Sequence, residues 1–235
     1  MSIADIHLAK YFDHTNLRLS CSQLDVINLC EEAKKFGFCS VVIYPSFVCE
    51  AKMLLDDTEV KVCTVIGFPH GRSDTEIKEA EIVIAARQGA DEVDVVMDHS
   101  LLKAGYPEMV SLEIRQLVDA AKREKVLLKV IVETSELNDK EKLAALTICE
   151  QSEAAFIKTS TGFTETGALV EDIKLFKDNR EFIDIKASGG IKTLETAVKL
   201  INAGATRLGS SSSVQIMEEF MKKNNNNVID LKEKR

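Results

Sequence analysis

Apolar residues along the chain repeat with two periods that alternate from end to end. Short β-prone runs at 10–14, 39–44, 61–67, 92–97, 127–133, 156–161, 182–188 and 207–210 predict strands. Segments 21–36, 47–55, 74–88, 108–124, 139–152, 168–177, 194–202 and 214–223 instead place apolar residues three and four apart, the spacing of a helix with one buried face. Residues at the predicted ends agree. Gly37, Gly89 and Gly204 stand just past a periodic run, where a left-handed residue stops a helix. Ser73, Asn138 and Thr193 stand just before one, where a side-chain oxygen caps free amides. The turns Gly89-Ala90-Asp91 and Gly204-Ala205-Thr206 each lead a helix into a strand.

Eight strand-then-helix units joined by short connections predict an α/β fold, a single (β/α)8 TIM barrel spanning 1–223. An open doubly wound sheet shares the alternation. It gathers polar residues at one switch point, however, whereas here every strand carries them at its carboxyl end. Beyond 223, Asn224-Asn225-Asn226-Asn227 and the charged residues after them predict a flexible tail, 224–235.

Composition excludes several function classes. With 45% hydrophobic and 29% charged residues the chain is that of an ordinary globular protein, and a net charge of −8 argues against a nucleic-acid surface. No apolar run approaches the ~20 residues needed to span a bilayer, and Met1-Ser2-Ile3-Ala4-Asp5-Ile6-His7 lacks the order of a signal peptide. The six cysteines, Cys21, Cys30, Cys39, Cys49, Cys63 and Cys149, are scattered without a C-x-x-C pair and predict reduced thiols in the cytoplasm. The four histidines, His7, His14, His70 and His99, fall in separate segments, with His70 and His99 expected in loops, so no metal site is expected.

Strand parity turns charge inward. If Val93, Val95 and Met97 face the helices, Asp94 faces the barrel interior; Leu128, Val130 and Val132 do the same for Lys129, Ile131 and Glu133. Ile183, Ile185 and Ala187 likewise turn Asp184, Lys186 and Ser188 inward. With Asp13 and Lys158, the interior would hold several carboxylates and the lysines Lys129, Lys158 and Lys186. A charged residue in a predicted strand is most often at a solvated rim, and a one-residue slip reverses any single assignment. Interior charge on four separate strands instead points to an active site at the strand carboxyl ends.

An amine attacks a carbonyl only when unprotonated, and at an ordinary pKa of ~10.4 about one in 2,500 is free at neutral pH. Lowering it to ~7 disfavours the ammonium by about 4.6 kcal/mol, which burial and a second ammonium can supply. Lys158 and Lys186 offer that pairing, and Asp94 can carry protons. The chemistry is Schiff-base formation with an aldehyde or ketone. Phosphate is the second signal: Ala187-Ser188-Gly189-Gly190-Ile191-Lys192-Thr193 and Leu208-Gly209-Ser210-Ser211-Ser212-Ser213 each open into a helix. Either alone has the form of a tight turn or a capped helix start, but barrels hold phosphate at these two loops.

Asp13-His14-Thr15, Lys61-Val62-Cys63-Thr64-Val65-Ile66-Gly67-Phe68-Pro69, Gly89-Ala90-Asp91-Glu92-Val93-Asp94, Phe156-Ile157-Lys158-Thr159-Ser160-Thr161-Gly162-Phe163 and Ile185-Lys186-Ala187-Ser188-Gly189-Gly190 closely resemble the deoxyribose-phosphate aldolases, and the similarity runs from Asp13 to Val214. The resemblance implies a class I aldolase that reversibly cleaves 2-deoxy-D-ribose 5-phosphate to acetaldehyde and D-glyceraldehyde 3-phosphate, without metal or organic cofactor and as a homo-oligomer. It implies Lys158 as the Schiff-base lysine, Lys186 as the residue that lowers its pKa and Asp94 as the acid/base partner. Gly162, Gly189, Gly190, Gly209, Ser211 and Ser212 match the phosphate cradle; Asp13, Thr15, Lys129 and Thr161 match groups lining the site. Two departures stand out. Phe163 replaces a lysine that some relatives carry, leaving loop amides and Lys192 to hold phosphate, and no tyrosine follows Tyr106, so a tail-borne proton donor is absent. Two rivals remain open: a Schiff-base aldolase for another phosphorylated aldehyde or ketone, and a catalytically silent barrel that binds sugar phosphates.

Overall fold

The computed structural model describes residues 8–233; His7 and the rest of 1–7, and Lys234 and Arg235 of the expected tail, lie outside the described residues. Strands and helices alternate as the pattern predicts: β1 (Phe12–Thr15), α1 (Gln23–Phe36), β2 (Ser40–Ile43), α2 (Val48–Leu55), β3 (Lys61–Ile66), α3 (Thr75–Arg87) and β4 (Glu92–Val96). There follow α4 (His99–Lys103), α5 (Pro107–Glu124), β5 (Leu127–Ile131), α6 (Asp139–Gln151), β6 (Phe156–Lys158), α7 (Val170–Asn179), β7 (Asp184–Ser188), α8 (Leu194–Ala203), β8 (Arg207–Ser210) and α9 (Ser213–Glu233). Each strand pairs in parallel with the next, and β8 returns to β1 to close the barrel.

The differences are local. Strands end earlier than their apolar runs, because Glu133 and Thr159 to Thr161 already belong to the loops above the barrel. His99 opens the short helix α4, capped by Asp98, whose carboxylate accepts from the Ser100 and Leu101 amides; five residues are too few for the helical period to show. Asp74 rather than Ser73 stands at the start of α3. The Asn138 capping box, the Thr193 cap and the left-handed Gly37 occur as expected. The last helix continues in backbone to Glu233, past Lys223 and through an asparagine run of weak helix propensity.

Alternation divides each strand between two surroundings. Val93, Val95, Leu128, Val130, Ile157, Ile185, Ala187 and Leu208 face outward into one continuous core under the helices. The inward face holds a small apolar cluster of Leu17, Val42, Cys63 and Val65, and the buried charges Asp13, Glu92, Asp94, Lys129, Lys158 and Lys186. A second buried ion pair lies outside the barrel. Lys78 of α3, fully buried, donates to Glu113 of α5 at 2.6 Å and to the carbonyls of Gly71 and Val96 at 2.7 and 2.9 Å. It thereby ties the turn after β3 to the end of β4. Lys78→Met leaves Glu113 buried without its cation and is expected to cost about 3–5 kcal/mol, read as a lowered urea midpoint at unchanged slope.

Candidate active site

Inward residues of neighbouring strands meet at one carboxylate. Asp94 Oδ2 accepts from Lys158 Nζ and from Lys186 Nζ, each at 2.7 Å, and its Oδ1 accepts from Lys129 Nζ at 2.9 Å and from the Cys63 thiol at 3.3 Å. Lys158 and Lys186 stand opposite each other in the pairing of β6 with β7, so their amines reach the same oxygen. Gly209 makes room for this: a Cβ there would come within 3.3 Å of Lys186 Cε and 3.0 Å of Ser188 Cβ. Asp13 binds Lys186 through one oxygen; its other accepts from Ser40 Oγ and Arg207 Nη1, both at 2.7 Å. Glu92 accepts from Lys129 at 2.6 Å and Arg207 at 3.3 Å.

These contacts set the charges. Burial works against the ammonium of Lys158 and, reinforced by Lys186, outweighs the pull of Asp94, so its pKa lies below the ordinary amine value. Burial is the larger of the two lowering causes and the Lys186 ammonium the smaller. Lys186 is buried too, but Asp13 and Asp94 outweigh the desolvation and hold it protonated. Lys129 is held still more firmly, because Asp94, Cys63, Glu92 and Asp13 surround it. Burial alone would raise the carboxyls; Lys129, Lys158 and Lys186 hold Asp94 well below the usual range, and Lys186, Lys129 and Arg207 do so for Asp13.

Above the cluster opens a pocket of about 660 Å³. Of the cluster's amines only Lys158 lines it, beside Thr15, Thr161, Gly162, Phe163 and Ser188, with Gly189, Gly190, Lys192, Gly209 and Ser211 around the far side. Asp13, Asp94, Lys129 and Lys186 lie beneath the floor. The Gly162, Gly189, Gly190 and Ser211 amides bond to no other described backbone group. Gly189 packs so closely on Gly167, whose Cα would lie 2.9 Å from a Cβ at 189, that a side chain has no place there.

Three expectations are corrected. Ser212 turns its amide to Ser210 Oγ at 2.9 Å and does not line the pocket, because the last turn before α9 closes on itself. Asp184 begins β7 at the opposite rim, half exposed beside Arg180, so parity alone did not bring it to the site. Glu133 lies in the loop after β5 with a left-handed backbone at φ 54°. Its carboxylate accepts from the Thr161 amide and hydroxyl at 3.1 and 2.5 Å and from the Thr164 hydroxyl at 3.1 Å, and so shapes the loop that follows Lys158. Sequence reasoning missed Arg207, Glu92 and Cys63 altogether, although inward parity with Gly209, Asp94 and Val65 marks each of them.

Phe163 stands at the pocket mouth, its ring edge-on to Phe68 at 5.2 Å, and Phe68 meets Tyr44 at 6.3 Å. Phe163 is thus part of an aromatic wall. Lys192 is the cation of the lining that makes no ion pair among the described residues, since Arg18 is paired with Asp25 and His14 with Glu32. Among the described residues no group of three or more His, Cys, Asp or Glu is arranged to hold a metal ion. Glu133→Gln turns an amide donor toward donors, and is expected to cost about 1–3 kcal/mol in urea denaturation.

The description "DeoC/LacD family aldolase" matches residues 7–217. The deoxyribose-phosphate aldolase of Carboxydothermus hydrogenoformans is 47% identical over 219 residues, 92% of this chain and 96% of its own. That of Caldanaerobacter subterraneus subsp. tengcongensis is 46% identical over 92% of this chain and 95% of its own. A solved deoxyribose phosphate aldolase from Aeropyrum pernix, described as tetrameric, superposes with a TM-score of 0.86 at 34% identity, covering 91% of each chain. The sequence match over nearly the whole barrel and the shared fold have one meaning: the chain belongs to the DeoC/LacD family of aldolases.

Proposed function

We propose that the protein is a class I aldolase that reversibly cleaves 2-deoxy-D-ribose 5-phosphate into acetaldehyde and D-glyceraldehyde 3-phosphate, with Lys158 as the Schiff-base amine. The observation that carries the assignment of Lys158 is that it alone among the buried amines reaches the pocket, with its pKa below the ordinary amine value. Its free electron pair adds to the C1 carbonyl of the open-chain sugar, and the carbinolamine loses water to give an imine. Asp94, which accepts from both amines, and Lys186 carry the protons of that dehydration from beneath the floor.

Cleavage then breaks the C2–C3 bond. The C3 hydroxyl gives up its proton, C3 leaves as the aldehyde of the triose phosphate, and the electron pair moves through C2 into the imine to form an enamine. Protonation at C2 and hydrolysis release acetaldehyde and return Lys158 as an amine. Asp94, acting through a water, serves as the base for the reverse step, removal of a methyl proton from the acetaldehyde imine. The phosphate rests against the Gly162, Gly189, Gly190 and Ser211 amides, with Lys192 as counter-charge. Thr15 and Thr161 line the space between, while Asp13 and Lys129 act from beneath. We further assign the protein to the cytoplasm as a homo-oligomer. The free cysteines support the compartment, and the tetrameric relative and the exposed Ile77, Ile84, Met109 and Leu112 of α3 and α5 support assembly.

Borohydride reduction in the presence of acetaldehyde is expected to leave an ethyl group on Lys158, located by peptide mass spectrometry. An adduct elsewhere, or none, contradicts the assignment, and binding of the sugar phosphate without turnover would favour a silent barrel. In the condensation direction Lys192→Met is expected to raise KM for the phosphorylated aldehyde about fivefold at unchanged kcat, as loss of an exposed ion pair does.

A further inference from the structure

The buried charges of the barrel close into a ring. Arg207 Nη1 binds Asp13 Oδ1 at 2.7 Å, Asp13 Oδ2 binds Lys186, and Lys186 Nζ binds Asp94 Oδ2 at 2.7 Å. Asp94 Oδ1 binds Lys129 at 2.9 Å, Lys129 binds Glu92 at 2.6 Å, and Glu92 returns to Arg207 at 3.3 Å. These six groups alternate in sign and sum to zero, three cations against three carboxylates. Lys158 hangs from the ring at Asp94 Oδ2 as a seventh group. Protonating it leaves the interior one charge positive.

The remaining neighbours add no charge at neutral pH. Cys63 of β3 and Cys39, just before β2, have thiols pushed up by burial, Ser40 of β2 is neutral, and the Phe156 ring of β6 lies 5.3 Å from the Arg207 guanidinium. Arg207 begins β8 at the end of the barrel remote from the pocket, does not line it, and is held charged, against burial, by Asp13 and Glu92. Remove its charge and five ring members sum to minus one. The cheapest way to restore neutrality is a proton on the group with the highest intrinsic affinity, and an ordinary amine lies about 6 pKa units above an ordinary carboxyl.

We propose that Arg207 is a positioning residue for the aldolase reaction: acting through the ring and never on the substrate, it keeps Lys158 unprotonated by closing the charge balance of the barrel interior. This rests on Lys158 being the Schiff-base amine. The role belongs to the charge of Arg207 rather than to its shape, which separates it from a packing role.

The test is the pH dependence of acetaldehyde trapping on Lys158 by borohydride, followed by mass spectrometry in the intact protein. Trapping rises with pH as the amine deprotonates. In Arg207→Met the rising limb is expected to move up by about one pH unit or more, with roughly tenfold less trapping at neutral pH. Arg207→Lys is expected to keep the limb in place. The double variant Arg207→Met with Glu92→Gln removes one charge of each sign and is expected to return it. A limb unmoved in Arg207→Met, or moved equally in the single and the double variant, overturns the proposal. Should Arg207→Met not fold, Glu92→Gln alone gives the converse: an excess positive ring moves the limb down, and an unmoved or raised limb overturns the proposal. Absence of any Lys158 adduct in the unsubstituted protein would instead overturn the Schiff-base assignment itself.

Discussion

Everything at the site depends on one constraint, that the interior of a closed barrel can hold many charges only if they cancel. Burying an ion costs several kcal/mol even after the protein relaxes, and an attractive partner offsets this only when each lone pair and proton is also satisfied. Here each of the three ring carboxylates faces at least two cations, and each of the three ring cations at least two carboxylates. Such an arrangement is a poor device for stability, since apolar side chains of the same volume hold a barrel at least as well. What it secures is a defined charge state. Three cations are fully matched by three carboxylates, and the amine left over is the one at the pocket floor.

Barrel geometry makes the pairing possible without strain. The parallel register sets Asp94 opposite Lys129 on β4 and β5 and Lys158 opposite Lys186 on β6 and β7, and the period of two keeps the aliphatic residues between them under the helices. Small residues do the rest: Gly209 yields space to the Lys186 side chain, and Gly162, Gly189 and Gly190 line the pocket without side chains to fill it. Lys158 and the glycine-rich loops therefore share a single pocket. The lysine sits at its floor and the loops after β6, β7 and β8 form its far side.

The fold was legible because alternation is a property of neighbouring residues. Val93-Asp94-Val95 and Leu128-Lys129-Val130 state their own orientation, and a charged residue flanked by outward aliphatics has only the interior to enter. Lys158, Lys186 and Asp94 could be found that way. Arg207 and Glu92 could not be given meaning, since each begins its strand and looks like a solvated rim residue until β8 closes on β1. Asp184 looked like their equal and is in fact at the rim, paired with Arg180. Parity says which face a residue takes but not at what height, and height decided these cases. The loop roles of Glu133 and Ser212 were hidden for another reason: they follow from left-handed or tightly turned backbone, which apolar spacing does not record.

The most direct measurement is the titration of the individual lysine amines by NMR of protein labelled with 15N at Lys Nζ. Lys158 is predicted to titrate below the ordinary amine value of ~10.4, while Lys129 and Lys186 stay protonated beyond it. A Lys158 that titrates at or above the ordinary value, or a Lys186 that loses its proton first, would contradict the account.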